Sequence, residues 1–179
     1  SDDGKNYTAR SKENQYFEYD KDLYQKLTNL RDKITSSKDL NKHSDELKSI
    51  EEEITLFHGK IANIMNKSKM ELDIIGFHGQ TIFHNANEKI SFQLGDGKLL
   101  SQLTKKTVVY DFRQNDLKNF GQGAPLAPIY HQNLVRNISL DWWPVVVLNI
   151  GGISNATSVS RVYPSDTSDK KDLKLFARD

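Results

Sequence analysis

The sequence predicts an α/β fold in which amphipathic helices pack against a sheet of short strands. Helical patterns occupy much of residues 20–66, and short apolar stretches with strand character follow from residue 72 onward. Helices that alternate with apolar strands favour a layered α/β domain. With 179 residues, the chain is long enough for one full domain, or for one domain and part of another.

Two amphipathic helices are predicted in the first third of the chain. Asp20 can cap the first helix, whose apolar residues recur at helical spacing: Leu23, Leu27, Leu30 and Ile34. The second helix is predicted over residues 44–66, with a longer apolar stripe: Leu47, Ile50, Ile54, Phe57, Ile61 and Ile64. A coiled-coil seam is the alternative, but the strands that follow favour packing on a sheet. The acidic residues 51–53 are interpreted as part of a solvated face.

Beyond residue 69 the sequence changes to short strands and shorter helices. A buried strand is predicted at residues 72–77. Further strands are predicted at residues 81–84, 90–94 and 107–112, and a helix is predicted at residues 98–103. A helix at residues 122–136 is predicted to open with Ala124-Pro125, because proline is tolerated in a first turn. A strand at residues 145–150 should be buried on both faces, and a hairpin should join residues 159–163 to residues 173–176.

These elements predict three parts of the chain. Residues 1–15 are polar and have no periodicity, which indicates an exposed start. Residues 16–140 should form the first α/β domain, including its long helices and a linking helix. Residues 141–179 should begin a second, incomplete domain.

The composition narrows the classes of partner. A net charge of +1 and a pI near 7.8 give no reason to expect nucleic acid or a membrane surface. The chain has no cysteine, so neither a disulfide framework nor a thiolate metal site can form. No apolar run of about 18 residues or signal-peptide pattern occurs, so a soluble cytoplasmic protein is the default expectation.

Residues 145–157 combine a β-branched strand, the pair Gly151-Gly152 and a short polar strand. Because glycine has no Cβ atom, this pair lets a large anion approach the backbone amides of a tight turn. The pattern therefore fits a β-hairpin whose turn holds phosphate. An ordinary hairpin also requires glycine, so both interpretations stay open at this stage.

Polar residues follow the first predicted strand, at a position where α/β sheets present ligand-binding loops. Gly79 permits a sharp turn after His78, and Gln80 and Thr81 supply neutral groups suited to sugar hydroxyls or an acetamido group. The alternative is a turn whose polar groups only satisfy the local backbone. His78 and His84 are close in sequence, but no nearby carboxylate or cysteine completes a zinc site, so no metal is expected there.

A second polar group follows the strand predicted at residues 107–112. Arg113 offers a planar fork of donors that can bind a carboxylate through two hydrogen bonds, or can pair with Asp111 or Asp116. Asp116 itself could be a base or a helix cap. Gly121 and Gly123 give backbone freedom that suits a hinge or a close approach of substrate.

Four sequence motifs follow one another along the chain. They are GFHGQT at residues 76–81, DFR at 111–113 with Asp116, GQGAPLAP at 121–128 and NIGGISN at 149–155. In this order they resemble the anhydro-N-acetylmuramic acid kinases, a family of the actin-like sugar-kinase superfamily. The resemblance implies a ribonuclease H-like (actin-like ATPase) domain that is incomplete at its N-terminus, followed by the first strands of a second such domain that binds nucleotide phosphate.

The resemblance also implies a reaction. Family members open the 1,6-anhydro bridge of anhydro-N-acetylmuramic acid with water and phosphorylate O6, using ATP and Mg²⁺. The product, N-acetylmuramic acid 6-phosphate, enters cell-wall recycling. The implied partners are a small amino sugar and ATP, and a homodimer is compatible with the family.

The implied site residues fall into three groups. Arg113 would face the lactyl carboxylate at a sugar site formed by His78, Gly79, Gln80, Thr81, Arg113 and Asp116. The phosphate turn would be formed by Gly151 and Gly152 and oriented by Asn149. Asp179 stands where the family has the carboxylate base that activates water.

We expect the chain to lack the family's first phosphate loop and the residues that follow its base. Because phosphoryl transfer needs positioning groups on all sides of the triphosphate, we expect no turnover by the chain alone. The strand at residues 145–150 should remain uncovered and favour aggregation. The alternatives are another actin-like sugar kinase or ATPase, and a non-catalytic sugar-binding remnant.

Overall fold

The structure, a computed structural model, describes residues 14–67, 72–136, 142–150, 154–161 and 173–178. Within these residues the chain forms two compact units, one of residues 15–123 and one that holds the described residues from Ala124 onward. The two units divide at Gly123 and Ala124, while the domain boundary that the sequence predicts between residues 140 and 141 lies outside the described residues and stays a prediction. Most of the predicted polar segment 1–15 lies outside the described residues.

The first unit combines helices with two pairs of strands. Its elements are α1 (Lys21–Lys33), α2 (Ser37–Lys42), α3 (Ser44–Lys67), β1 (Ile74–Phe77), β2 (Gln80–Asn85), β3 (Ile90–Leu94), α4 (Gly97–Thr104), β4 (Thr107–Tyr110) and α5 (Gln114–Lys118). The second unit contains α6 (Ala127–Arg136), β5 (Val145–Asn149), β6 (Asn155–Arg161) and β7 (Leu173–Arg178). This mixture of helices with parallel and antiparallel strands confirms the predicted α/β class.

Helix α1 begins where the sequence predicts. The Asp20 carboxylate accepts a hydrogen bond of 2.9 Å from the Leu23 amide and so caps the helix. Its apolar stripe packs against α3, and the stripes of the two helices bury Leu23, Leu27, Leu30, Leu47, Ile50 and Ile54. Helix α3 also packs against α4 and β3. The α3 stripe therefore forms part of the α/β core, and the coiled-coil alternative is wrong.

Two of the acidic residues on α3 do more than face solvent. Glu51 Oε1 accepts a hydrogen bond of 3.1 Å from the backbone amide of Gly95, at the end of β3. Glu53 Oε2 lies 2.9 Å from Nζ of Lys26 on α1. The interpretation of residues 51–53 as a solvated face is therefore wrong for these two, because each connects α3 to a neighbouring element.

Strands β1 and β4 lie side by side and run parallel, with Phe77 opposite Tyr110. The predicted burial of the first strand is wrong in part, because Phe77 is buried but Ile74 is 58% exposed. Within the described residues these two strands form a two-stranded sheet, which leaves Ile74 without a neighbouring strand on one side. Strand β4 ends at Tyr110, before the predicted end, because Asp111 has a left-handed φ of 58°.

Strands β2 and β3 form an antiparallel hairpin with the register Gln80 to Leu94 and Asn85 to Ile90. Leu94 is fully buried in the core of the first unit. The hairpin begins directly after the turn that follows β1, so Gln80 lies close in sequence to the end of β1.

Helix α6 begins at Ala127, five residues later than predicted (residue 122 to residue 127). Gly123 has a left-handed φ of 72°, which a right-handed helix does not allow. The prediction that Ala124-Pro125 opens the helix is therefore wrong; Pro128, the second residue of the helix, lies in its first turn and is buried.

The second unit contains an antiparallel sheet with the strand order β5-β6-β7. Helix α6 packs against β6 and β7, and His131 Nδ1 lies 2.9 Å from Oγ1 of the buried Thr157 on β6. The predicted pairing of the last two strands is confirmed, and their connecting turn lies outside the described residues. Val146 on β5 is in register with Ser158 and Phe176, so these three residues share one face of the sheet.

That face is exposed. Val146 and Leu148 are 58% and 60% exposed, and Phe176 is 57% exposed. The prediction that this strand is buried on both faces is therefore wrong, because its side chains alternate between a covered and an uncovered side. The separate expectation of an uncovered apolar strand agrees with these exposures. No helix within the described ranges is long and apolar enough to cross a membrane.

Candidate functional site

Two polar loops lie together at one edge of the parallel strand pair. Because β1 and β4 run in the same direction with Phe77 opposite Tyr110, the residues that follow them emerge at the same edge. His78 follows β1 and Asp111 follows β4. The carboxyl ends of parallel strands are where α/β sheets place ligands.

The two loops are joined by a contact between Arg113 and His78. Nη2 of Arg113 lies 3.0 Å from Nε2 of His78. A guanidinium group can only donate, so the imidazole must accept at Nε2. Nδ1 of His78 lies 2.9 Å from the Gly79 carbonyl oxygen, which can only accept, so Nδ1 carries the hydrogen. Both contacts are satisfied by one neutral tautomer of His78.

Arg113 is also held from the other side. Its Nη1 donates a hydrogen bond of 2.7 Å to the Gly123 carbonyl oxygen. The backbone amide of the same Gly123 donates to Oδ2 of Asp116, also at 2.7 Å. Arg113 occupies the N-cap position of α5 and Asp116 lies inside that helix, so Asp116 is not its N-cap.

A cavity of about 270 Å³ lies beside these loops. Its polar lining residues are His78, Ser91, Gln93, Asp111 and Gln114. Aromatic walls are formed by Phe77, Phe92 and Tyr110. The volume lies near the lower end of the roughly 300–1,000 Å³ that small-molecule sites occupy. The mixture of a few polar groups with aromatic walls is typical of such sites.

The two glutamines of this cavity present acceptors. Nε2 of Gln114 donates to the Ser91 carbonyl oxygen at 2.7 Å, and Nε2 of Gln93 donates to Ser91 Oγ at 2.7 Å. With the amide nitrogens engaged in this way, each glutamine can offer its carbonyl oxygen to a ligand. The exposed carboxylate of Asp111 adds a further acceptor. The cavity therefore suits a ligand that donates hydrogen bonds from hydroxyl or amide groups.

Sequence reasoning did not identify Gln93 or Gln114 as site residues. Gln114 directly follows Arg113, and Gln93 is the polar residue in the otherwise apolar end of β3, so both had weak signals in the sequence. The contact of Gln114 to Ser91 connects separate segments of the chain, which no local pattern reveals, whereas Gln93 contacts Ser91 within β3.

Gln80 and Thr81 do not line the cavity beside His78. They line a smaller cavity of about 130 Å³, together with Tyr24 and Arg31 of α1. The structure thus brings together His78, Gly79, Arg113 and Asp116, and it places Gln80 and Thr81 at a neighbouring position on β2. Thr81 keeps a weak link to the first cavity, because Nε2 of Gln93 lies 3.4 Å from its hydroxyl oxygen.

The residues predicted to bind nucleotide belong to the second unit. Asn149 lies at the end of β5, directly opposite Asn155 on β6, so the predicted antiparallel strands are confirmed. Gly151, Gly152 and Asp179 lie outside the described residues. Their predicted roles remain predictions.

Within the part of the chain that the structure describes, no group of three or more histidine, aspartate or glutamate side chains is arranged to hold a metal ion. His84 is exposed on β2, and its backbone pairs with Ser91 of β3. The described residues thus assign no ligand to Mg²⁺.

Comparisons with known proteins agree with the four motifs. The family model described as anhydro-N-acetylmuramic acid kinase matches residues 2–170. A Pelagibacter ubique protein named anhydro-N-acetylmuramic acid kinase is 54% identical over 162 residues, which are 90% of this chain. Proteins of the same name from Brucella canis and Rhizobium etli are 46% and 37% identical over 63% and 79% of this chain.

The chain spans only part of these relatives. The matched regions cover 41% of the Pelagibacter protein, 32% of the Brucella protein and 39% of the Rhizobium protein. The family match nevertheless extends over most of the chain and includes every described element as far as β6. It confirms the resemblance that the motifs predicted. The chain belongs to the anhydro-N-acetylmuramic acid kinase family.

Proposed function

We propose that this protein binds anhydro-N-acetylmuramic acid in the cavity at the ends of β1 and β4 and acts in its ATP-dependent phosphorylation. Family membership supports the substrate and the reaction. The single structural observation that carries the proposal is the contact between Arg113 and His78 beside a cavity rich in acceptors. The finer fold assignment, a ribonuclease H-like domain followed by the start of a second one, belongs to the same proposal.

The chemistry of the cavity matches that of an amino sugar. Hydroxyl and acetamido N–H groups of the ligand would donate to the Asp111 carboxylate and to the carbonyl oxygens of Gln93 and Gln114. The lactyl carboxylate would be attracted by the guanidinium charge of Arg113. In this proposal His78 and Gly79 border the sugar, while Gln80 and Thr81 extend the site toward the smaller cavity.

The proposed reaction couples the hydrolysis of the anhydro bridge to a phosphoryl transfer. Water adds to the anomeric carbon and the bond from that carbon to O6 breaks, while O6 takes the γ-phosphoryl group of ATP. The products are N-acetylmuramic acid 6-phosphate and ADP. Asp179 would remove the proton from water, and Gly151 and Gly152, oriented by Asn149, would contact the phosphates. Mg²⁺ would neutralise phosphate charge during transfer.

The cellular setting is part of the proposal. The product would feed peptidoglycan recycling in the cytoplasm, and the protein would act as a homodimer.

Calorimetric titration tests the sugar site directly. The wild-type chain should bind anhydro-N-acetylmuramic acid more tightly than 1,6-anhydro-N-acetylglucosamine, which lacks the lactyl group, and should not bind glucose. Arg113→Ala should abolish the preference for the lactyl group, and Arg113→Lys should restore little of it because lysine lacks the planar fork. Lys98→Ala, which removes an exposed cation on α4, is the matched control and should bind like wild type.

The possible results separate the hypotheses. Equal binding of both anhydro sugars by wild type would exclude the proposed role of Arg113 but keep a sugar site. Tighter binding of glucose, a hexose without the 1,6-anhydro bridge, would indicate another sugar kinase of the same superfamily. No binding of any sugar would contradict the proposed site.

A further inference from the structure

Gly123 connects two charged side chains that come from the same short stretch of sequence. Its amide donates to Oδ2 of Asp116 at 2.7 Å, and its carbonyl oxygen accepts from Nη1 of Arg113 at 2.7 Å. The Asp116 carboxylate therefore holds the amide of Gly123, and the carbonyl oxygen of Gly123 holds the guanidinium of Arg113. Hydrogen bonds that involve a charged group are stronger than neutral ones.

The turn around Asp116 is built closely. The Gly121 amide donates to the Asp116 carbonyl oxygen at 2.8 Å, and a Cβ atom on Gly121 would collide with the Asp116 carboxylate. Gly123 has a φ of 72°, and a Cβ atom there would lie 2.8 Å from Cγ of the buried Leu117. Both glycines allow the backbone to approach α5, so that the carboxylate can reach the Gly123 amide.

The hydrogen-bonded path continues to the loop after β1. Arg113 lies between Gly123 and His78, because its Nη2 contacts His78 Nε2 at 3.0 Å. We infer that Asp116 is a positioning residue, whose carboxylate holds Gly123 and, through Gly123, orients Arg113 and His78 at the sugar site. The inference rests on the proposed function, because it assigns Arg113 and His78 to the ligand.

This role differs from that of a base or of a direct sugar ligand. A base must change its protonation state, so an amide cannot replace it. A positioning residue needs only an acceptor in the right place, and the side-chain oxygen of asparagine can accept from the Gly123 amide. The variants Asp116→Asn and Asp116→Ala therefore distinguish a positioning residue from a base.

Titration with anhydro-N-acetylmuramic acid provides the first measurement. Asp116→Ala should weaken binding by roughly tenfold to a hundredfold, which corresponds to the loss of a hydrogen bond to a charged group. Asp116→Asn should recover most of that loss and bind within about threefold of wild type. Asp73→Ala removes an exposed carboxylate next to the opposite end of β1, and it should bind like wild type.

Nuclear magnetic resonance provides a second measurement that needs no ligand. In the wild-type chain the Gly123 amide should exchange slowly with solvent, and His78 should show the tautomer with hydrogen on Nδ1. Asp116→Ala should accelerate exchange at Gly123 and alter the nitrogen resonances of His78, whereas Asp116→Asn should keep both close to wild type. If the alanine variant does not fold, comparison of Asp116→Asn with wild type still tests the inference.

Several results would overturn the inference. Asparagine and alanine variants that bind equally weakly would show that the ionised carboxylate itself is required. Unchanged exchange at Gly123 and unchanged His78 resonances in the alanine variant would show that Asp116 does not control the path. If wild type binds no sugar, the proposed function fails, and the resonance measurements alone decide whether Asp116 positions Arg113.

Discussion

Nη2 of Arg113 and Nε2 of His78 lie 3.0 Å apart although 35 positions separate the two residues in the sequence. The contact joins the loops that follow two parallel neighbouring strands. It also fixes the proton of the imidazole, because arginine donates and His78 must accept. The site thus presents one cation beside a neutral imidazole, which is an arrangement that suits an anionic sugar.

The tautomer of His78 gives the first prediction. Nitrogen resonances of the histidine ring should show the form with hydrogen on Nδ1, because Nε2 accepts from Arg113 and Nδ1 faces the Gly79 carbonyl oxygen. In Arg113→Gln the preference should weaken, because the cationic donor is lost. His84, which is exposed on β2, serves as the internal reference. A His78 ring with hydrogen on Nε2 would contradict the contact with Arg113.

The turn after His78 gives the second prediction. Gly79 has a φ of 69°, and a Cβ atom there would collide with the Leu94 carbonyl oxygen. Gly79→Ala should therefore lower the free energy of unfolding by about 1–3 kcal/mol and displace His78. The measurement is chemical denaturation followed by circular dichroism.

Gly76→Ala is the matched control for this change. Gly76 lies in β1, and the nearest atom to its added Cβ would be Cζ of Phe112 at 3.7 Å, which is an ordinary contact. Its effect should stay within about 1 kcal/mol of wild type. If both alanine variants were equally destabilised, crowding at Gly79 would not be the cause.

The third prediction compares two threonines whose hydroxyls each donate to the carbonyl oxygen four residues earlier in a helix. The hydroxyl of buried Thr55 donates to the Glu51 carbonyl oxygen at 2.7 Å and accepts from the Asp96 amide at 3.0 Å. Thr55→Val keeps the shape but leaves the Asp96 amide without this acceptor. It should lower the free energy of unfolding by about 1–3 kcal/mol in a denaturant titration.

Thr28→Val tests the helical bond alone, without a counterpart of the contact to Asp96. Thr28 also donates to the carbonyl oxygen four residues earlier, that of Tyr24, at 3.0 Å, but this bond is exposed. Its loss should change the free energy of unfolding by less than about 0.5 kcal/mol. A large effect at Thr28 would indicate that the helical bond, and not the contact to Asp96, stabilises α3.

The helices show how far local signals reach. The cap at Asp20 and the apolar intervals of α1 and α3 lie in contiguous sequence, so both helices were predicted closely. Helix α2 was missed because it buries no residue and so has no apolar stripe. It is marked only by Asp39, whose pKa is lowered because the Ser36 hydroxyl and backbone amide donate to its carboxylate.

The candidate site was predictable in part for the same reason. The rule that α/β sheets present ligand-binding loops at the ends of their strands pointed to His78 and Arg113 without any long-range information. The separation of Gln80 from His78 and Arg113 was not predictable, because the chain turns at Gly79 and β2 lies beside α1. Gln114 was missed because its partner, Ser91, comes from a separate hairpin.

The uncovered face of β5 gives the last prediction. Val146 and Leu148 share this exposed face, whereas Val159 on β6 is fully buried on the side that packs against α6. Exposed apolar patches of this kind promote association between molecules. The double variant Val146→Thr, Leu148→Thr should reduce light scattering on warming and change the free energy of unfolding by about 0.5 kcal/mol per site or less. Val159→Thr should instead destabilise the chain by about 1–3 kcal/mol, because it buries a hydroxyl. Unchanged scattering by the double variant would show that association does not involve this face.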